Sequence, residues 1–196
     1  GSGNRIYAET DEIPEILVKA LVATEDVRFY EHSGIDVKSM FRAIIKTGIM
    51  GEDAAGGGST LTQQLAKLIY PEKPARDKFE RAMQQPAEWM IALKLERNYS
   101  KSEMIALYLN RFDFLYNAVG IKSAANVYFG KEPRDLTMEE CALLVGMVKN
   151  PAYYNPIKNP ERALERRNVV FNQMEKAGYL TATEVEELKQ KPLGVS

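Results

Sequence analysis

Cysteine is almost missing from this chain: Cys141 has no second thiol with which to close a disulfide. It lies in the apolar run CALLVGMV, where a small buried thiol is expected. Histidine and tryptophan also occur once each, as His32 and Trp89. A lone histidine beside a lone cysteine argues against a zinc site. No stretch approaches the roughly 18 uninterrupted apolar residues of a membrane-crossing helix, and no secretory pattern opens the chain. The initial Gly1-Ser2-Gly3 reads as a cloning scar, so a targeting segment upstream of it stays open. Charge of one sign is lacking too. A formal net charge of -1 excludes the broad basic excess that binding nucleic acid requires. Long linkers, internal repeats and low-complexity tracts are absent, so a single domain over 1–196 is expected.

What is present is ordinary in bulk and specific in detail. With 45% hydrophobic and 27% charged residues, 196 residues suffice to bury a core. A hydroxyl residue followed three positions later by Glu or Gln recurs at Thr60/Gln63, Ser100/Glu103, Thr137/Glu140 and Thr181/Glu184. Each pair precedes an apolar-periodic stretch, as a helix start should. Pro14 suits the first turn of a helix running toward Glu25. A helix from about Pro160 should end near Gly178. Strand signals are scarce, and Asn126 to Gly130 is the nearest approach to one. The fold is read as mainly α. Gly51 to Gly58 and Tyr70 to Pro74 look irregular. Pro86 should either kink a long helix or sit near the start of a new one close to Gln85.

Three clusters carry ionisable or polar side chains at suggestive spacing. In the first, Glu25 and Asp26 stand beside Arg28, Phe29 and His32. A carboxylate pressed against an aromatic has its pKa raised toward that of a general base. The bland alternative is a helix end with ordinary salt bridges, and a hydrogen-bonded structural histidine. In the second, the glycines 56–58 lead into Ser59, Thr60, Gln63, Gln64 and Lys67. A helix N-terminus of this kind suits an anion, although no Walker A lysine follows the glycines. A flexible loop before a polar helix remains the alternative. The third is Arg81 to Trp89, with Glu88 beside the tryptophan as a second candidate for a perturbed carboxylate. From Val37 to Met50, Phe41, Ile44, Ile45 and Ile49 alternate with Lys38, Arg42 and Lys46. That suits a helix at an anionic bilayer or, as periodicity alone prefers, a core helix with a solvated basic face.

Taken in order, these clusters resemble the family-51 glycosyltransferases, the polymerising domains of class A penicillin-binding proteins and their monofunctional relatives. The E-D-x-x-F-x-x-H-x-G motif matches Glu25, Asp26, Phe29, His32 and Gly34. The G-G-S-T-x-T-Q-Q-x-x-K motif matches Gly57, Gly58, Ser59, Thr60, Thr62, Gln63, Gln64 and Lys67. A third motif ends in Glu88. The fourth and fifth resemble Lys101 to Asn110 (KSEMIALYLN) and Arg166 to Met174 (RRNVVFNQM). The resemblance implies a lysozyme-like globular lobe with a smaller membrane-proximal lobe at about 37–58, including the Val37 to Met50 helix and a mobile loop. It implies lipid II and the growing glycan chain as substrates, inversion at the anomeric carbon, and the outer face of the cytoplasmic membrane as the place of action. A C-terminal transpeptidase domain and cell-wall synthesis partners in a full-length protein are implied with it, and moenomycin-type inhibitors are expected in the same cleft.

The resemblance further implies Glu25 as the base that deprotonates the acceptor hydroxyl, and Glu88 as an aid on the leaving-group side, directly or through a divalent metal such as Mg or Mn. Substrate contacts are implied for Asp26, Phe29, His32, Ser59, Thr60, Gln63, Gln64 and Lys67, with Arg76, Arg81 and Gln85 completing the diphosphate region. One departure stands out. The third motif normally reads R-K-x-x-E, and here Gln84 and Gln85 hold the basic positions. A preorganised cation missing there costs on the order of 3–4 kcal/mol of transition-state stabilisation. Arg76, Arg81 or a metal compensates, or activity is impaired. Two other readings compete: a lytic glycan-cleaving enzyme, which has no use for the phosphate apparatus, and a silent lipid II-binding module, which Gln84 and Gln85 favour.

Overall fold

The computed structural model describes residues 7–50 and 59–195, with side chains omitted for 46–50. The expected glycine-rich loop at 51–58, the scar at 1–3, and Lys46 and Ile49 therefore lie outside the described residues or side chains. Among the described residues the fold is almost wholly helical. In chain order the helices are α1 (Glu15–Glu25), α2 (Val37–Met50), α3 (Leu61–Ile69), α4 (Lys78–Asn98), α5 (Lys101–Arg111), α6 (Ile121–Phe129), α7 (Met138–Met147), α8 (Pro160–Lys176) and α9 (Ala182–Lys189). Two 3₁₀ turns (Thr10–Glu12 and Pro133–Asp135) and one isolated bridge between Asp113 and Val119 complete the description.

The starts obey local chemistry. Thr60, Thr137 and Thr181 each accept the backbone N–H three residues on, while Gln63, Glu140 and Glu184 reach back to the cap. Ser100 and Glu103 do the same for α5, at 3.1 Å in both directions. Each such cap contributes about 1 kcal/mol. Pro14 is the N-cap of α1, and Gly178, at φ +84°, follows α8. One expectation is corrected. The Asn126 to Gly130 run is helical, because α6 has a single β-branched residue after Ser123 and ends on Gly130 in the left-handed conformation. Of the two alternatives for Pro86 the long helix is found: α4 runs through it for 21 residues, fastened at its head by Asp77 accepting from the Glu80 N–H.

The chain divides into two compact units. The first takes the described residues up to Val27 and from Leu109 onward. Here α1 packs on α7 and α8, and α8 on α7 and α9. Leu17, Leu21, Leu144, Val170 and Phe171 are fully enclosed, and Cys141 is the buried thiol expected, its pKa pushed up to about 12 by burial. Arg167 is also fully buried, donating to the Pro192 and Lys189 carbonyls at the end of α9. After α5 the backbone turns through three successive left-handed residues, Leu115, Tyr116 and Asn117. Left-handed geometry costs on the order of 1–2 kcal/mol for a residue with a side chain. Clamps surround the turn: Phe114 N–H to Ala118 O at 2.9 Å, Gly120 N–H to Phe112 O at 2.8 Å, and the Tyr128 hydroxyl on the Phe114 carbonyl.

The second unit is Arg28–Tyr108, in which α3 packs on α4. It holds the described part of the stretch expected for the smaller lobe. Its helices bury less. Of α4 only Ala92 and Leu95 are buried, while Phe79, Met83, Met90 and Leu93 are exposed. On α2, Val37, Phe41, Ile44 and Ile45 are exposed as well.

Candidate active site

Within the second unit, α2, α3 and α4 line a cleft of about 330 Å³. Its polar lining is Ser59, Gln63, Lys67, Arg81, Gln85 and Glu88, and its apolar lining includes Met40, Ile44 and Trp89. Helical spacing explains the convergence. Gln63 and Lys67 are one turn apart on α3, and Arg81, Gln85 and Glu88 follow one stripe of α4. Across the cleft Lys67 Nζ stands 3.7 Å from Glu88 Oε2. Among the described residues, two cations against one carboxylate leave the lining net positive, as an anionic ligand requires. A lysine at position 85 would add a third.

Sequence-predicted residues outside this cleft have other work. Thr60 is buried, accepts the Gln63 N–H at 3.0 Å and donates its hydroxyl to the Gly34 carbonyl at 2.7 Å. It fixes the start of α3 and does not line the cleft. Gln64 accepts from the Tyr108 hydroxyl at 3.0 Å. Arg76 is highly exposed and paired with Glu80 at 3.1 Å, so it is Arg81 that brings positive charge to the cleft. Gln84 donates to the Lys73 carbonyl at 2.8 Å, tying down the irregular segment before α4.

Phe29 and His32 belong to a network beside α3. Phe29 is fully buried, its ring edge-on to His32 at 5.9 Å and capped by Lys101 Nζ at 4.4 Å. His32 Nδ1 accepts the Gly34 N–H at 3.0 Å, which is the structural histidine of the blander reading. Lys101 donates to the His32 carbonyl and to Glu96, both at 2.7 Å, and Thr62 donates to Glu96 at 2.8 Å. Gly34 is at φ +109°, and a Cβ there would press on Glu96 and the Ala92 carbonyl. Nearby, Asp36 caps α2 through Ser39 and pairs with Arg28 at 3.1 Å. Burial pushes the Asp36 carboxyl up, but the Ser39 hydroxyl and N–H, Arg28 and His32 outweigh it and the net shift is downward. Glu96 and Asp36 were not singled out in the sequence. Lys101 was visible only as the first letter of the fourth motif.

Glu25 belongs to the first unit, as the last residue of α1, and the buried Asp26 follows as its C-cap. Within this unit its carboxylate faces Arg166 of α8, Oε1 to Nη2 at 3.6 Å, with both side chains mostly buried. Arg166 in turn approaches the Gly146 carbonyl at 3.4 Å and lies over the Tyr154 ring at 5.7 Å. Gly146 makes the space: a Cβ there would meet Arg166 Cγ at 3.0 Å. An arginine so held can orient a carboxylate that accepts a proton. Arg166 opens the fifth motif, which was the signal that pointed to it without giving its role. No group of three or more His, Cys, Asp or Glu side chains suited to a metal occurs among the described residues.

Comparison with known proteins adds a lineage to this geometry. A family model described as Transglycosylase matches residues 1–175. Penicillin-binding protein 1A of Aquifex aeolicus is 42% identical over 196 residues, covering all of this chain and 26% of that protein. Penicillin-binding protein 1A/1B of Bacillus subtilis is 40% identical over 97% of the chain and 20% of its own length. Penicillin-binding protein 1A of Escherichia coli is 37% identical, again over the whole chain and 22% of its own length. The chain thus spans about a fifth to a quarter of the curated relatives it matches. In fold it is similar to the crystal structure of penicillin-binding protein 1A from Haemophilus influenzae, with a TM-score of 0.57 at 22% identity over all of this chain and 19% of that one.

Proposed function

The chain belongs to the transglycosylase family of peptidoglycan glycosyltransferase domains, and on that premise we propose that it polymerises lipid II into β-1,4-linked glycan strands. The observation that carries this reading is the net-positive cleft lined by Lys67 and Arg81, with Ser59, Gln63 and Gln85 as neutral donors. A lytic enzyme that cleaves finished glycan has no leaving diphosphate and no need of such a lining. In the proposed reaction Glu25 takes the proton of the acceptor hydroxyl. The freed oxygen attacks the anomeric carbon, the bond from that carbon to the diphosphate breaks, and the configuration inverts. Lys67 and Arg81 compensate the charge growing on the departing polyprenyl diphosphate. Arg166 orients the Glu25 carboxylate. A divalent cation travelling with the diphosphate would find one carboxylate among the described lining residues, Glu88, and Mg²⁺ is commonly held between phosphates and one or two acids.

The exposed apolar residues of α2, interleaved with Lys38 and Arg42, support seating this unit on an anionic membrane. No described helix is long and apolar enough to cross one. We place the reaction on the outer face of the cytoplasmic membrane, with a transpeptidase domain joined to this one in a longer chain. The test is processive polymerisation of lipid II in vesicles, with Glu25→Gln as the control. Glycan strands from the wild type and a rate lower by about 10³-fold in the variant, the scale of losing a general base, are expected. Lipid II bound without turnover would assign a binding module instead. Release of fragments from finished peptidoglycan would assign a lytic enzyme.

A further inference from the structure

The polymerisation chemistry leaves one constellation of the first unit unused. Tyr116 is about half exposed, 46% by relative area, at the middle of the three left-handed residues after α5. An exposed tyrosine in an ordinary turn needs no support, yet this one is fixed from three sides. Its backbone is held by the clamps around Phe114 and Gly120. Its ring stands edge-on to the buried Tyr128 at 6.3 Å. Its hydroxyl oxygen accepts from Asn155 Nδ2 at 3.1 Å, and Asn155 is itself buried. The Asn155 Oδ1 already accepts the Ile157 and Lys158 N–H groups at 2.9 and 3.2 Å. The return contact from the Tyr116 hydroxyl to that oxygen is the longer one, 3.4 Å, which leaves the hydroxyl proton able to point outward.

The surroundings suit a carbohydrate. Next to Asn155 in sequence, Tyr154 packs edge-on to the half-exposed Tyr153 at 4.9 Å and lies under Arg166, the residue that faces Glu25. A chain of contacts within one unit thus runs from the proposed base to a rigid, outward-facing aromatic. Sugar rings present an apolar C–H face and a rim of hydroxyls, and a preorganised tyrosine offers a complement to both.

We propose that Tyr116 is a glycan subsite, its ring the stacking surface for an N-acetylhexosamine and its hydroxyl a donor to that sugar. The proposal rests on the reading of the chain as a glycan polymerase and adds a sugar contact that involves none of the residues lining the diphosphate cleft. Tyr116→Asn removes the ring while keeping a residue at home in the left-handed region, and Tyr116→Phe removes only the hydroxyl. Binding of a lipid-free peptidoglycan tetrasaccharide, followed by NMR titration, isolates the sugar contact from the diphosphate. Tyr116→Asn should weaken it about ten-fold, as loss of one ring contact implies, and Tyr116→Phe by about three-fold. With lipid II, KM should rise in parallel while kcat stays within about two-fold. Equal tetrasaccharide affinity of Tyr116→Asn and wild type would overturn the subsite, as would a wild-type chain that does not bind the tetrasaccharide. Failure of the wild type to polymerise lipid II, with the tetrasaccharide series intact, would overturn the polymerase reading and leave the subsite standing.

Discussion

The two units treat their apolar residues in opposite ways. In the first, eight of the ten residues of α7 are buried, Glu140 through Met147, and α1 and α8 close over them. In the second, the 21-residue α4 buries two residues and exposes Phe79, 74% accessible, and Met83, 66% accessible. A helix that is apolar all round needs a protein core, whereas an apolar stripe left open marks a surface meant for another phase or partner. The first unit is organised around its own interior. The second lines a cleft with six polar side chains and leaves several large apolar residues of α2 and α4 exposed.

The sharpest way to break this contrast is to truncate an aromatic from each unit. Phe171→Ala, at a fully enclosed site, should cost about 3–5 kcal/mol. Phe79→Ser should stay within about 0.5 kcal/mol, as exposed substitutions do, while weakening attachment to anionic vesicles. Denaturant melts of the two variants check both numbers, and a Phe79→Ser loss above 2 kcal/mol would mean that α4 is covered within the protein after all. The next effect is chemical. Gln85→Lys should raise lipid II turnover by about 10²-fold, because a preorganised cation at a departing diphosphate is worth roughly 3–4 kcal/mol and some of that is already supplied by Arg81. Equal rates for the two variants would show that Arg81 compensates completely.

The smallest effect is a pH dependence in the second unit. Asp36 has a folded pKa below its usual 3.8. Its contribution is therefore full above that usual value and is lost as pH falls through the lower folded one. An acid titration of helical signal should show Asp36→Asn less sensitive than the wild type below about pH 4, by an amount on the order of 1 kcal/mol, the scale of a single cap.

Much of the fold was legible because helix starts are local. Each capping box places donor and acceptor three residues apart, and all four predicted pairs are in place. α6 misled because Asn126, Val127, Tyr128 and Phe129 look strand-like until Gly120 and Gly130 are recognised as its two ends. The cleft residues were legible as motif letters and as one-turn spacings. What escaped the sequence was partnership at a distance. Nothing local couples Glu25 to Arg166, Lys101 to the His32 carbonyl, or the Thr60 hydroxyl to the Gly34 carbonyl, and Gln84 does not declare in advance that it serves the backbone.

The capping boxes hold one more lesson. Among the described residues, four of them close with glutamate at the third position: Glu12, Glu103, Glu140 and Glu184. The one that borders the cleft closes with Gln63. Either side chain can accept the cap N–H, so helix initiation alone does not choose between them. A carboxylate would add a fixed minus sign beside a bound diphosphate, and the amide does not. At this helix start, on the proposed reading, a spelling difference that is neutral for folding suits the polarity of the guest.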